Sequence, residues 1–574
     1  MSVTHPFLNA RYIKATAEAP AFSLFDPAPR FRRQLILSEP IREATLYVQC
    51  LSSGVLYING ERVSEDLFIS ATSNYSRILW YHTYEVSHLL KQGENAVCAV
   101  LGNGFFNESF ETPWDYDRAP WRDAPQLLLS LHVNGREVLV SDDTWRVDRE
   151  GSPIVYTHLR SGEYHDARKY GDAWLYADFD GAAWQPVNER DIPEGARLLP
   201  VPCPAIRVAE VIQPVSIKKT EDGHLVDFGV TVSGYIEATV SAARGEEITF
   251  VYAEEVDEEG RPTYHYNGER DARSLYPMCP YHTDKLIASG GTDTFLPQFT
   301  YHGFRYVVIH GLRTAPRPES LRAHGIHQAI ERTSTFSSGN DILNYIYNAG
   351  IRSTYSNMFW CLTDCPTREK LGWANDAQAS LEQTLINFDI VPLYKKWFED
   401  IKAAMREDGA LPGIIPSSGW GYRYGPVCDG LLFELPYRIY LYTADAHFLT
   451  DGIPYFERYI RFLEEKRRQN FDFSLADWTG TGNIEGVSRA FVQQFYLLKA
   501  YRVTNLAYRL AGRDAAALDL TYAQARETFI ETYISEHGRC IEDRQPSVAM
   551  MLEAGLYHER APLAEQLSEI VRRD

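Results

Sequence analysis

The sequence predicts a multidomain β + α protein, with two antiparallel β-sandwich domains followed by a helical domain. Three observations carry this. Asn-Gly pairs sit between short apolar runs in the first 140 residues. A Pro-rich stretch at 200–204 precedes a second group of strand-like runs. Beyond residue 330 the apolar positions take up helical spacing.

After an N-terminal extension, residues 1–28, the first domain spans 29–199. TLYVQC (45–50) reads as a strand, and VLYINGERV (55–63) reads as a hairpin around Asn59-Gly60. A type I′ turn needs positive φ at both central residues, which Asn and Gly supply at least cost. AVCAVLG (96–102), QLLLSL (126–131) and LHVNGREVLV (131–140), with a second Asn-Gly pair at 134–135, continue the pattern. Short strands with regular turn signals predict an antiparallel sandwich. The second β domain spans 200–328. YIEATVSAARGEEITFVYAEE (235–255) gives two strands around Arg244-Gly245, and FRYVVIHGL (304–312) gives another.

The helical domain spans 329–574. In 337–360, Ile342, Ile346 and Ile351 lie near helical spacing behind Ser, Asn and Asp capping candidates. Further helices are predicted at 376–389, 392–406, 430–444, 446–468, 487–511, 514–535, 546–555 and 559–573. Pro392 suits a first turn, and Gly409, Gly512 and Gly538 stand where helices should stop.

Composition narrows the function. The 574 residues, 45% hydrophobic and 23% charged, describe a globular chain. A net charge of −20 argues against nucleic acid and favours a neutral substrate. Aromatic residues make up 13%, which permits sugar stacking. No apolar run reaches the roughly 18 residues of a membrane span. The N-terminus shows no apolar core behind a basic start, so the expected compartment is the cytoplasm. Eight cysteines in this length are not a disulfide scaffold. Cys361 and Cys365 lack a matching His/Cys cluster and read as buried thiols, so no metal or cofactor is expected.

Several familiar sites are absent. There is no Gly-Lys pair for a P-loop, no GxSxG elbow and no HExxH, and Asn107 stands where a dinucleotide fingerprint after Gly102 needs glycine. What remains is TDCPTREKLGWANDAQ (363–378). Pro366 fixes a turn, so Glu369 falls on a connection between helices. Paired carboxylates suit glycoside hydrolysis, where one protonates the leaving oxygen and the other activates water. Arg368 and Lys370 would lower the pKa of Glu369; Asp364, Asp376 and burial beside Trp373 would raise it. A catalytic role therefore requires both Asp nearby and the Lys370 ammonium turned away. Taken alone, the stretch is better explained as a solvated loop with capping Asp residues, Trp373 as a core anchor and Arg368 in a surface ion pair worth under ~1 kcal/mol.

The surroundings change that balance. DCPTREKLGWANDAQ closely resembles the signature of the α-L-rhamnosidases, glycoside hydrolase family 78. LYINGERVSEDLFIS and the residues that follow to 106 resemble the family's N-terminal β-sandwich, of jelly-roll or galactose-binding type. SGEYHDAR (161–168), HLVDFGVTVSGYIE (224–237), FTYHGFRYVVIHG (299–311) and LADWTG (475–480) resemble further family segments in order. The resemblance implies a bacterial-like inverting hydrolase with an (α/α)6 barrel, removing terminal α-L-rhamnose from a glycoside or oligosaccharide without cofactor or metal. It implies Glu369 as general acid. It implies Asp364, Arg368, Trp373, Asp376 and Trp478 in the sugar pocket, with Trp420 and Asp429, in SGWGYRYGPVCDG, on a loop of the same pocket. Val427 departs there from the family's usual Trp.

The family's general base, a Glu in a Trp-Glu pattern, has no counterpart in the sequence. About nine predicted helices also fall short of six full hairpins. The expectation is a barrel domain lacking its C-terminal part, with Glu485 as the nearest substitute base. The alternatives are an (α/α)6 glycosidase of other sugar specificity and a non-catalytic carbohydrate-binding fragment. The N-terminal sandwich is expected to be a structural flank, and homodimer formation is left open.

Overall fold

The computed structural model describes residues 5–18, 26–266, 270–271, 281–469 and 486–573. The chain divides into a β-rich unit, Met1–Glu331 with Phe336–Leu371, and a helical unit, Arg332–Thr335 with Gly372–Asp574.

The β-rich unit begins with two sheets. One runs in the order Asn188–Arg190, Tyr12–Lys14, Gln126–Val133, Ala44–Leu51, Ile78–Glu85, Arg197–Pro200, with Arg136–Val140 hung on Gln126–Val133. The other runs Gln185–Pro186, Arg146–Asp148, Arg30–Leu37, Gly93–Gly102, Ser53–Ile58, Glu61–Arg62. Phe31, Leu46, Ile58, Val97, Leu129 and Trp145 share one core between them. Both Asn-Gly hairpins form as predicted. Asn59 and Gly60 have φ of 53° and 91°, and Asn134 and Gly135 have 51° and 77°. Each Asn does a second job: the Asn59 amide donates to the Leu89 carbonyl at 2.9 Å, and that of Asn134 to the Pro40 carbonyl at 3.0 Å.

A larger sheet follows, in the order Ile154–His158, Gly162–Asp166, Thr283–Ile287, Glu247–Ala253, His302–His310, His224–Ser241, Leu321–Gln328, Ile206–Ile212. The strands flanking Arg244-Gly245 both form, yet they are not neighbours. His302–His310 runs between them, so the link is a crossover. Two strands from before the Pro-rich stretch join this sheet, Gly162–Asp166 by parallel pairing with Thr283–Ile287. Glu163 fastens that corner. It is fully buried and accepts hydrogen bonds from the backbone of Gln298 and Phe299 at 2.9 and 2.8 Å.

Helix α1 (Asp341–Tyr355) is capped by the Asn340 side chain, which accepts from the Ile342 amide at 2.9 Å. It belongs to the β-rich unit. Its C-terminal end is anchored: Arg352 pairs with Glu210 at 2.7 Å, and Tyr355 stacks on His327 at 4.0 Å. Of the predicted apolar stripe, Ile351 is buried, whereas Ile342 and Ile346 are 69% and 59% exposed.

The helical unit contains α2 (Ala374–Asn387), α3 (Val391–Ala404), α4 (Leu431–Thr443), α5 (His447–Arg468), α6 (Arg489–Leu510), α7 (Ala516–Tyr533), α8 (Gln545–Ala554) and α9 (Arg560–Arg573). Pro392 lies in the first turn of α3, and Gly409, Gly512 and Gly538 all take positive φ past helix ends. Helices α2, α4, α6 and α8 pack in sequence, each on the next, while α5, α7 and α9 fold back on the helix before them. That arrangement is a run of helical hairpins. Helix α6 buries side chains all round, from Phe491 and Val492 to Tyr501 and Thr504, as expected of a helix enclosed by others.

Candidate active site

The predicted site residues fall on both units. The first group lies on the loop ending the β-rich unit, and that loop is closed on itself. The Asp364 amide donates to the Leu371 carbonyl at 2.9 Å, and the Leu371 amide donates to Asp364 Oδ1 at 3.0 Å. The Cys365 thiol donates to Asp364 Oδ2 at 3.2 Å, and the Glu369 amide donates to Cys365 Sγ at 3.3 Å. Burial, then the Asp364 carboxylate, pushes the Cys365 thiol up to about 12, so it stays protonated and able to donate. Asp364 thus clasps the loop that carries Glu369.

The same loop is fastened outward to residues flanking the β strands. His282 Nε2 donates to the Thr367 carbonyl at 2.9 Å. Burial, reinforced by His302 and Lys370, holds His282 well below its usual pKa and hence neutral. Lys370 adopts a φ of 58°, in the left-handed region, and is 1% exposed. Its ammonium donates to the carbonyls of Leu159, at 2.7 Å, and Tyr301. Of the two requirements set by the sequence, the one on Lys370 is answered by these bonds, which engage its ammonium with backbone next to the strands Ile154–His158 and His302–His310; Asp376 lies on the other unit. Arg368 behaves differently. Its guanidinium touches the Glu369 carboxylate, and both side chains are about nine-tenths buried, at 11% and 10% exposed. The Glu369 carboxylate is therefore held by a guanidinium from its own loop.

The second group lies on the helical unit. Trp373 immediately precedes α2, and the exposed Asp376 stands in its first turn, where a carboxylate complements the helix dipole. The Trp373 ring meets Trp420 edge-on at 6.0 Å and Tyr424 at 5.5 Å, and Trp420 lies 5.3 Å from Tyr424. All three rings are partly exposed. Backbone bonds set this trio: the Ala374 amide to the Gly413 carbonyl at 2.9 Å, and the Gly413 amide to the Gly421 carbonyl at 3.0 Å. Gly413 is needed for close approach. A Cβ there would lie 3.0 Å from Tyr424 and 3.2 Å from the Trp373 ring. Sequence reasoning missed Tyr424, although it stands four residues after Trp420 in the segment singled out.

Asp429, just before α4, is 1% exposed and accepts from the Tyr459 hydroxyl at 2.7 Å. Burial pushes its carboxyl up to about 7. Trp478 and Glu485 lie outside the described residues. Among the described residues, no three His, Cys, Asp or Glu side chains gather as a metal site.

Comparison with known proteins agrees with this architecture. The α-L-rhamnosidase N-terminal domain matches residues 39–210. The bacterial α-L-rhamnosidase concanavalin-like domain matches 217–327, and the bacterial α-L-rhamnosidase 6 hairpin glycosidase domain matches 331–574. An α-L-rhamnosidase of Formosa agariphila is 28% identical over 473 residues, covering 79% of this chain and 49% of that protein. One from Streptomyces avermitilis is 27% identical over 540 residues, covering 90% and 49%. The solved α-L-rhamnosidase from Dictyoglumus thermophilum superposes with a TM-score of 0.88 at 27% identity, over 98% of this chain and 64% of that one. The fold is therefore that of the six-hairpin glycosidases with N-terminal β domains. The chain belongs to the α-L-rhamnosidase family, glycoside hydrolase family 78. It spans about half the length of the curated relatives it matches.

Proposed function

We propose that this chain carries the catalytic acid of an α-L-rhamnosidase, which removes terminal non-reducing α-L-rhamnose with inversion, and that the acid is Glu369. The observation that carries the reading is the setting of Glu369. It is 8% exposed, on a loop clasped by Asp364, with the adjacent Lys370 ammonium engaged by the carbonyls of Leu159 and Tyr301. Such a carboxyl is held in one place and can be desolvated, as proton donation to a glycosidic oxygen requires.

In this mechanism Arg368 is the ground-state partner of Glu369. A sugar hydroxyl that engages the guanidinium would leave the Glu369 carboxyl to face the glycosidic oxygen. Glu369 then protonates the leaving oxygen while a water, activated by a second carboxylate, attacks the anomeric carbon from the opposite face. That second carboxylate is not assigned. On the helical unit, Trp373, Trp420 and Tyr424 offer apolar ring surface for the C–H face of a sugar, and Asp376 offers an acceptor for hydroxyls.

Hydrolysis of p-nitrophenyl α-L-rhamnoside, followed by proton NMR of the first-formed anomer, tests this reading. Turnover with inversion supports it. An inert wild-type chain whose melting temperature rhamnose still raises would favour the carbohydrate-binding alternative, and cleavage of a different glycoside instead would favour another specificity.

A further inference from the structure

Residues 159 and 160 grip residues 369 and 370 reciprocally. The Leu159 carbonyl accepts from the Lys370 ammonium at 2.7 Å, and Arg160 Nε donates to the Glu369 carbonyl at 3.0 Å. Arg160 is fully buried and is itself held on other sides. Its Nη1 pairs with Glu108 Oε2, and the Glu108 side chain is 3% exposed. The guanidinium carbon lies over the rings of Phe105, Trp114 and Tyr116, at 4.9, 5.6 and 5.7 Å. His158 completes the cluster. Its Nδ1 accepts from the Ser161 amide at 3.1 Å, which leaves Nε2 to carry the proton and donate to Glu108 Oε1. Burial would raise the Glu108 carboxyl, yet His158 and Arg160 hold it at about 2.

A buried guanidinium fastened by a carboxylate and three rings has little freedom to move. The group it grips in turn, the backbone of Glu369, inherits that rigidity. We propose that Arg160, set by Glu108 and His158, is a positioning residue for the Glu369 carboxyl. The inference rests on Glu369 being the acid. It makes the segment Phe105–Tyr116, expected to belong to a structural flank, part of the apparatus that aims the proton.

The test compares the full chain with Arg160→Lys, Arg160→Met and Glu369→Gln, on phenyl and 2,4-dinitrophenyl α-L-rhamnoside. Dinitrophenolate departs with little protonation, so misplacing the acid should hurt the phenyl substrate selectively. Because a misplacement near 1 Å can cost on the order of 100-fold, Arg160→Met should lower kcat on the phenyl substrate by roughly 10- to 100-fold and on the dinitrophenyl substrate by less than about threefold, with KM little changed. Arg160→Lys should fall between. Equal losses on both substrates would overturn the proposal, because general misfolding does not distinguish leaving groups. Glu369→Gln serves as the separate arm: full activity on the phenyl substrate would remove the acid reading, whereas loss there while the Arg160 variants keep the wild-type rate would remove only the positioning role. Amide exchange of peptide 364–371 decides without turnover. Faster exchange there in Arg160→Met, with other β-unit peptides unchanged, supports the proposal, and unchanged exchange there contradicts it.

Discussion

Lys370 meets Tyr301 twice: its ammonium donates to the Tyr301 carbonyl and lies 4.2 Å from the centre of the same residue's ring. These contacts, with the bond to the Leu159 carbonyl, hold Lys370 in a left-handed conformation that costs a side-chain-bearing residue roughly 1–2 kcal/mol. Lys370→Ala and Lys370→Gly lose the same contacts, but only glycine relieves the conformation. Both variants should therefore be destabilised in urea denaturation, with Gly less so by about 1 kcal/mol. An alanine variant as stable as the glycine one would show that the conformation is not strained.

Asp429 should make stability depend on pH. Its folded value of about 7 lies above the roughly 3.9 of a free aspartate, so the folded protein binds more protons between these values. Stability contributed by this group is complete below about pH 4, falls as pH rises through the window, and levels off above about 7. Asp429→Asn keeps an acceptor for Tyr459 and cannot ionise. It should melt near wild type at pH 4.5 and above wild type at pH 8, by an amount whose upper bound is on the order of 4 kcal/mol. A constant difference across this range would count against a protonated Asp429.

Gly413→Ala should disturb the Trp373–Trp420–Tyr424 trio, because the new methyl would meet Tyr424 at 3.0 Å. The expected cost is about 1–3 kcal/mol of stability, with a shift in tryptophan emission. On the proposed role of the trio, KM for p-nitrophenyl α-L-rhamnoside should also rise. Unchanged emission and KM would show that the rings accommodate the methyl without moving.

Lys396 and Asp400 form a fully buried pair at 2.7 Å within α3. Lys396→Met alone takes the cation from a fully buried carboxylate and should cost about 3–5 kcal/mol. The double variant Lys396→Met, Asp400→Leu should recover most of that loss in calorimetry, because it removes both charges.

Local periodicity and turn chemistry made much of the fold legible. The Asn59-Gly60 and Asn134-Gly135 hairpins and helix α5, expected at 446–468 and found at His447–Arg468, are each decided by residues close in sequence. What sequence did not show is long-range. His302–His310 enters between the strands on either side of Arg244-Gly245, and Gly162–Asp166 pairs with Thr283–Ile287, more than a hundred residues away. No local signal specifies such pairings. The exposure of Ile342 and Ile346 was hidden for the same reason, since helical spacing records which residues share a face and not what covers it.

The candidate site divides in the same way. Glu369, Trp373 and Asp376 stood out through their signature. Arg160 directly precedes SGEYHDAR and Glu108 stands just past the stretch ending at 106, but both are some 200 residues or more from the loop, and only the fold brings Arg160, held by Glu108, to the Glu369 backbone. Cys365 was read as a buried thiol, and its place in the chain of bonds from Glu369 to Asp364 follows from the turn at Pro366.

The role of Glu369 is tested most directly by comparing Glu369→Gln with wild type on two rhamnosides of unequal leaving group. If Glu369 is the acid, the variant should lose roughly 100- to 10,000-fold in kcat on phenyl α-L-rhamnoside and far less on 2,4-dinitrophenyl α-L-rhamnoside. A variant that hydrolyses the phenyl substrate at the wild-type rate would contradict the account.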